Sequence, residues 1–130
     1  MKIECTNPEQ VIRRAFFLAW KACGGTSGYG FLQNNPTASE ERVWENVANR
    51  GDYPGGKLFG PAVKKGEASG DYVFGRMMKL TLRWNDGEID VQEYQPRADY
   101  QSWCGVYPSY ESLIRAAIES LAAESEQQSE

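Results

Sequence analysis

The sequence predicts a single α+β domain in which helices pack on one face of an antiparallel sheet. Three patterns predict this class: an amphipathic helix near each end of the chain, a region of two-residue alternation between them, and a strong turn signal within that region. We expect about three to four strands built around a hairpin of residues 71–84 and 88–95, with a short extra helix near residues 38–49. We assign residues 1–122 to the domain and residues 123–130 to a flexible acidic tail.

The N-terminal helix is predicted to begin after Asn7, which can cap it, because Pro8 suits the first helical position and Gln10 completes a capping box. It is expected to end at Gly24 and Gly25. Apolar residues cover more than half of its circumference, which predicts a central, well-buried helix. Those residues are Val11, Ile12, Ala15, Phe16, Leu18, Ala19, Trp20, Ala22 and Cys23.

A second helix is predicted from the capping box that runs from Thr37 to Glu40, followed by a short apolar stripe. The next stretch, residues 52–70, is rich in glycine and contains two prolines, Pro54 and Pro61. A long loop without any regular structure is uncommon in a compact domain. We therefore expect this loop to hold one short strand near Leu58 and Phe59.

The central hairpin is predicted from alternation and from the turn Asp86-Gly87, which is a strong hairpin signal. A two-residue turn at this point pairs Trp84 with Ile89, Leu82 with Val91, and Arg83 with Asp90, so that apolar meets apolar and opposite charges meet. The apolar face of the first strand consists of Tyr72, Phe74, Met78, Leu80, Leu82 and Trp84.

The C-terminal helix is predicted to begin after Ser109, which caps it. Its apolar residues recur at helical spacing on one side only, which is typical of an amphipathic helix packed on a core. They are Tyr110, Leu113, Ile114, Ala117, Ile118 and Leu121.

Composition excludes several kinds of chemistry. The chain contains no histidine, which excludes catalytic triads and zinc sites that need one, and its three cysteines cannot form an all-thiolate zinc site. We therefore expect no metal, no cofactor and no catalytic residues. Three of the four units of net negative charge fall on Glu124, Glu126 and Glu130, so the folded body is nearly neutral and nucleic acid is an improbable partner. Neither a signal peptide nor a membrane-spanning segment is evident, and scattered thiols suit a reducing cytoplasm.

One charged residue departs from the apolar pattern of the hairpin. Arg76 shares a strand face with Phe74 and Met78, and the predicted register places Glu93 on that same face. We interpret this end of the sheet as a ligand-binding cleft in which Arg76 binds an anionic group and Glu93 either orients Arg76 or acts as a general base. The predicted ligand-binding residues are Arg76, Glu93, Tyr72, Tyr94, Trp103 and Tyr107. The alternative is that Gly75 marks a bulge, Arg76 points outward, and Glu93 lies at the solvated edge.

Three functional hypotheses follow. The first is a non-catalytic binding protein that recognises a small anionic ligand or a protein partner and forms a homodimer through the outer sheet face, where Val73, Met77 and Tyr94 leave apolar area. The second is a small enzyme that uses carboxylate, tyrosine or thiol chemistry, with Cys104 as a candidate nucleophile. The third is weak single-strand nucleic-acid binding by a basic patch of four residues. That patch consists of Lys64, Lys65, Lys79 and Arg83.

Overall fold

The structure is a computed structural model that describes residues 1–22, 39–50, 62–70, 79–94 and 107–128. Within these ranges the helices are α1 (Pro8–Ala22), α2 (Glu40–Arg50) and α3 (Tyr110–Gln128). Its strands are β1 (Lys2–Glu4), β2 (Ala62–Lys64), β3 (Glu67–Gly70), β4 (Lys79–Asn85) and β5 (Glu88–Tyr94). The predicted α+β class is confirmed, as are the two terminal helices and the short helix between them. No helix in these ranges is both long enough and apolar enough to cross a membrane.

The described strands form one antiparallel sheet in the order β1-β5-β4-β3-β2. The β4–β5 hairpin lies near its centre and has the predicted register, with Trp84 opposite Ile89, Leu82 opposite Val91 and Arg83 opposite Asp90. Gly87 has a φ of 95°, a conformation that glycine adopts without strain, and it closes the two-residue turn. The first strand is described only from Lys79 onward, so residues 71–78 of the predicted hairpin lie outside the described residues.

A second hairpin, β2–β3, occupies part of the stretch that we predicted as a loop. Its two-residue turn is Lys65-Gly66, with Lys64 opposite Glu67, and Gly66 has a φ of 76°. Next to the turn, the carbonyl of Gly66 accepts a hydrogen bond of 3.0 Å from the amide of Trp84, which joins β3 to β4. The loop prediction was therefore wrong for residues 62–70, and the predicted strand at residues 58–59 lies outside the described residues.

The strand β1 was not predicted from the sequence, and it leads directly into α1. It pairs with β5 at the sheet edge, and the amide of Cys5 continues this pairing by donating to the carbonyl of Gly87 at 3.0 Å. Asn7 then has a φ of 59°, outside the extended conformation that is usual for a capping residue. Its side-chain amide donates to Oε1 of Gln10 at 3.5 Å, while its carbonyl accepts the amide of Val11.

The core lies between one face of the sheet and the three helices. Each helix contributes fully buried residues to it, and the sheet contributes its inward-facing positions, because alternate residues of a strand point to opposite faces. The inward sheet residues are Ile3, Ala68, Leu80, Leu82, Ile89 and Val91. The helix residues are Val11, Ile12, Ala15, Phe16, Ala19, Val43, Trp44, Tyr110, Leu113, Ile114 and Ala117.

The three helices are joined to one another by Arg14. Its guanidinium forms an ion pair with Glu40 on α2, donates to Oγ of Ser120 at 2.8 Å, and forms an ion pair with Glu124 at 2.8 Å. Burial by itself lowers the pKa of Arg14, but the hydrogen bonds and charges of Glu124 and Glu40 outweigh this effect and raise it. Arg14 therefore stays charged and holds the outer two helices to the central one.

The helix α3 continues beyond the point where we expected a tail. It runs to Gln128, and Glu124 within this extension contacts Arg14. The extension is rich in Ala, Glu and Gln, which favour helix. The division into a domain and a flexible tail stays a prediction.

Candidate functional site

The predicted ligand-binding residues are only partly described. Tyr72, Arg76 and Trp103 lie outside the described residues, and Tyr94 ends β5 with its side chain likewise outside them. Glu93 and Tyr107 are described and partly buried. The grouping of these six residues into one cleft stays a prediction.

Glu93 lies where β5 meets the N-terminus of α3. Its two carboxylate oxygens accept hydrogen bonds of 3.4 and 3.3 Å from the backbone amide of Tyr110, the first residue of that helix. A carboxylate at this point satisfies a backbone donor that has no partner within the helix, and it interacts favourably with the helix dipole. Glu93 therefore stabilises the junction between sheet and helix.

Replacing Glu93 by Ala is expected to lower the free energy of unfolding by about 1 to 2 kcal/mol, because the amide of Tyr110 loses its acceptor. Glu93→Gln should cost less, since the amide oxygen still accepts a hydrogen bond but lacks the charge. The measurement is urea denaturation followed by circular dichroism, with Gln92→Ala as the neighbouring control on the outer face. Equal stability of the Glu93 and Gln92 variants would contradict a role at this junction.

A different concave site lies at the end of the sheet where both hairpin turns and the start of α1 come together. We call it the interlayer cleft, because it opens between the sheet and the helices. Its volume is about 630 Å³, within the range of about 300 to 1,000 Å³ that is usual for small-molecule sites. It is lined by Asn7, Pro8, Glu9, Trp44, Lys64, Lys65, Gly66, Trp84, Asn85 and Asp86.

Two indole rings form the apolar part of the interlayer cleft. Trp44 comes from α2 and is held by a stacking contact with Phe16, with 5.9 Å between the ring centroids. Trp84 comes from the end of β4, where it is half-buried against the edge of the core. The guanidinium of Arg13 lies over the Trp44 ring at 5.0 Å. Contacts with core residues therefore hold both indole rings in position.

Charged groups line the mouth of the interlayer cleft. Lys64 and Lys65 are exposed at the β2–β3 turn, and neither forms an ion pair with a carboxylate in the ranges that the structure describes. The carboxylate of Glu9 is engaged by Arg13 at 3.5 Å. Asp86, at the tip of the neighbouring turn, is exposed. Two lysines that form no ion pair within the described part of the chain thus line the same space as two indole rings.

The opposite side of the β4–β5 turn carries Cys5 next to Glu4 and Glu88. Burial raises the pKa of the Cys5 thiol above its ordinary value, so that it remains protonated and weakly nucleophilic at neutral pH. Among the described residues no group of three or more Cys, Asp or Glu side chains is placed to hold a metal ion. Cys5 is therefore a poor candidate for a catalytic nucleophile.

No known family model, curated protein or solved structure matches this chain. The interlayer cleft must therefore be interpreted from its own geometry. The sequence did not reveal it, because its lining comes from four separate segments that each carry an ordinary local signal. The sequence signal that could have indicated the cleft was the presence of two large aromatic residues, Trp44 in the second helix and Trp84 at the end of its strand.

Proposed function

We propose that this protein is a non-catalytic binding protein that takes a small anionic ligand with a flat apolar group into the interlayer cleft. The observation that carries this proposal is the presence, around one concave space, of two indole rings and of two lysines that form no ion pair with a carboxylate among the described residues. Aromatic walls with a few fixed polar groups are typical of small-molecule sites.

The two halves of such a ligand would meet different parts of the cleft. The flat group would lie against Trp84, which is half-buried and therefore still presents ring surface. The anionic group would lie between Lys64 and Lys65 at the mouth, where lysine side chains are mobile point charges that suit a phosphate or carboxylate. The start of α1 lines the same space, and the positive end of its dipole favours a negative charge there.

Phenyl phosphate is a suitable probe because it joins a flat ring to a dianionic group. We expect it to shift the Trp84 indole signal and the amide signals of Lys65 and Gly66 in a ¹⁵N-NMR titration. Benzyl alcohol and inorganic phosphate each carry only one of the two features, so each should bind more weakly.

A charge-neutral variant tests the role of the lysines. The double substitution Lys64→Gln and Lys65→Gln should weaken phenyl phosphate binding by about tenfold, which corresponds to about 1.4 kcal/mol. The matched control is Lys21→Gln with Arg115→Gln, which removes two exposed positive charges outside both the cleft lining and the outer sheet face and should leave binding unchanged. Equal weakening in both double variants, or signal shifts confined to other surfaces, would refute the proposal.

A further inference from the structure

The outer face of the sheet carries a row of alternating charges. The register places Glu67 of β3 opposite Arg83 of β4, Arg83 opposite Asp90 of β5, and Asp90 opposite Lys2 of β1. Partners directly opposite one another point to the same face of a sheet. The register also places Lys64 of β2 opposite Glu67. We call these five residues the charge row; reading across the sheet from β2 to β1, their signs are positive, negative, positive, negative and positive.

This face is polar along its described length, and the described helices pack on the other face. On one side of the charge row lie Ser69, Thr81 and Gln92, all partly buried and uncharged. On the other side, at the β4–β5 turn, lie Asn85, Glu88 and Glu4, and Glu88 forms an ion pair of 3.9 Å with Lys2.

Because the signs of neighbouring members of the charge row alternate, the row does not present the continuous positive field that would attract a nucleic acid or a uniformly acidic partner. A surface that complements the charge row must also carry alternating charges at the spacing of neighbouring strands. Its positive residues must lie over the negative residues of the row, and its negative residues over the positive ones.

A second copy of this chain carries that surface. We propose that two copies associate face to face about a two-fold axis that runs parallel to the strands, along the seam between β4 and β5. Such an axis places each β4 over the partner's β5 and each β3 over the partner's β1. Arg83 then meets the partner's Asp90, and Glu67 meets the partner's Lys2, so that the four members of the charge row on β3, β4, β5 and β1 each face an opposite charge. Lys64 on β2 lies beyond the partner's β1.

Arg83 and Asp90 have polar atoms that are available for these contacts between the two copies. Within one copy, Arg83 donates only through Nε, to Glu67 at 3.1 Å, among the residues that the structure describes. Its two terminal nitrogens are therefore available for a paired contact with a carboxylate. Asp90 interacts through Oδ1 with the N-terminal ammonium at 3.4 Å, and the side chain of Arg83 is 57% exposed. The second copy would extend existing ion pairs into a network.

The size of the face indicates a weak association. The strands β1, β5, β4 and β3 contain 3, 7, 7 and 4 residues. At about 3.3 Å for each residue and about 4.8 Å between strands, they give roughly 330 Å² for each copy. Interfaces below about 1,200 Å² in total belong to transient complexes, and contacts between exposed charges are screened by salt. The dimer should therefore form at high protein concentration and dissociate as salt is added.

Sedimentation velocity on the unmodified protein tests the association itself. We expect the mean mass to rise toward that of a dimer with concentration in about 0.02 M salt, and to fall to that of a monomer in about 0.5 M salt. Dilution should shift the amide signals of Thr81, Arg83 and Asp90 more than those of the helices. A monomer at the highest concentration in low salt would overturn the proposal.

Charge reversal tests the pairing and the position of the axis. Arg83→Glu and Asp90→Arg should each be monomeric, because each places like charges against the partner. An equimolar mixture of the two variants should form a heterodimer, since each reversed charge then meets its opposite across the seam. Arg115→Glu and Glu119→Arg, on the exposed part of α3, make the same charge changes and should leave the dimer intact.

Native mass spectrometry of the mixture, with one variant isotopically labelled, counts the heterodimers directly. Circular dichroism checks that each variant is folded. Variants that dimerise as strongly alone as the unmodified protein would refute this arrangement, and so would folded variants that fail to associate when mixed. The binding experiment with phenyl phosphate is independent, because Arg83 and Asp90 do not line the interlayer cleft.

Discussion

Replacing Phe16 by Ala is expected to lower the free energy of unfolding by about 3 to 5 kcal/mol. Phe16 is fully buried at the centre of α1, and its ring stacks on Trp44. Removing the ring leaves a cavity at the meeting point of α1 and α2, and close-packed surroundings relax only partly into such a space. Because typical domains are stable by only about 5 to 15 kcal/mol, this is a large fraction of the total.

The measurement is urea denaturation, with Phe17→Ala as the matched control. Phe17 is the next residue on the same helix and is only half-buried, so its loss should cost less than half as much. The Phe16 variant should also weaken phenyl phosphate binding, because Trp44 loses the ring that holds it in the interlayer cleft. Similar costs for the two variants would show that α1 does not pack as the structure describes.

Replacing Gly66 by Val is expected to cost about 2 to 3 kcal/mol. Gly66 has a φ of 76°, a conformation that β-branched residues rarely adopt. A Cβ at this position would already lie 3.4 Å from the carbonyl oxygen of Trp84, and the methyl groups of Val would add to the crowding beside the hydrogen bond that joins β3 to β4.

The control is Gly66→Asn, because asparagine tolerates positive φ and lacks the β-branch. It should cost less than about 1 kcal/mol, as measured by urea denaturation. The Val variant should also lose affinity for phenyl phosphate, since the turn positions Lys65. If Val and Asn were equally tolerated, this turn would not require a left-handed backbone conformation.

The sequence predicted the parts of the fold that depend on neighbouring residues. The β4–β5 register followed from the turn Asp86-Gly87 and from matching Arg83 with Asp90, and the presence of the two terminal helices followed from periodicity. These signals are local, because a turn residue and an alternating pattern specify the pairing of strands that lie next to each other in the chain.

The missed elements are short strands whose pairing depends on distant residues. β1 and β2 each contain three residues, too few for alternation to be recognised. The turn Lys65-Gly66 also lacks the Asn or Asp that usually precedes glycine in a hairpin signal. The interlayer cleft was missed for the same reason, since Trp44 and Trp84 come to line one cleft only in the folded chain.

The pairing of β1 with β5 has a consequence for the order in which the fold forms. Ile3 has no strand partner until Ile89, far along the chain, has been synthesised and placed in the central hairpin. Contacts between such distant residues form late in folding, because bringing the two segments together costs chain entropy. We expect the hairpin of β4 and β5 to form first and β1 to dock last, so that the strand that comes before all the other described elements in the chain is among the latest to become structured.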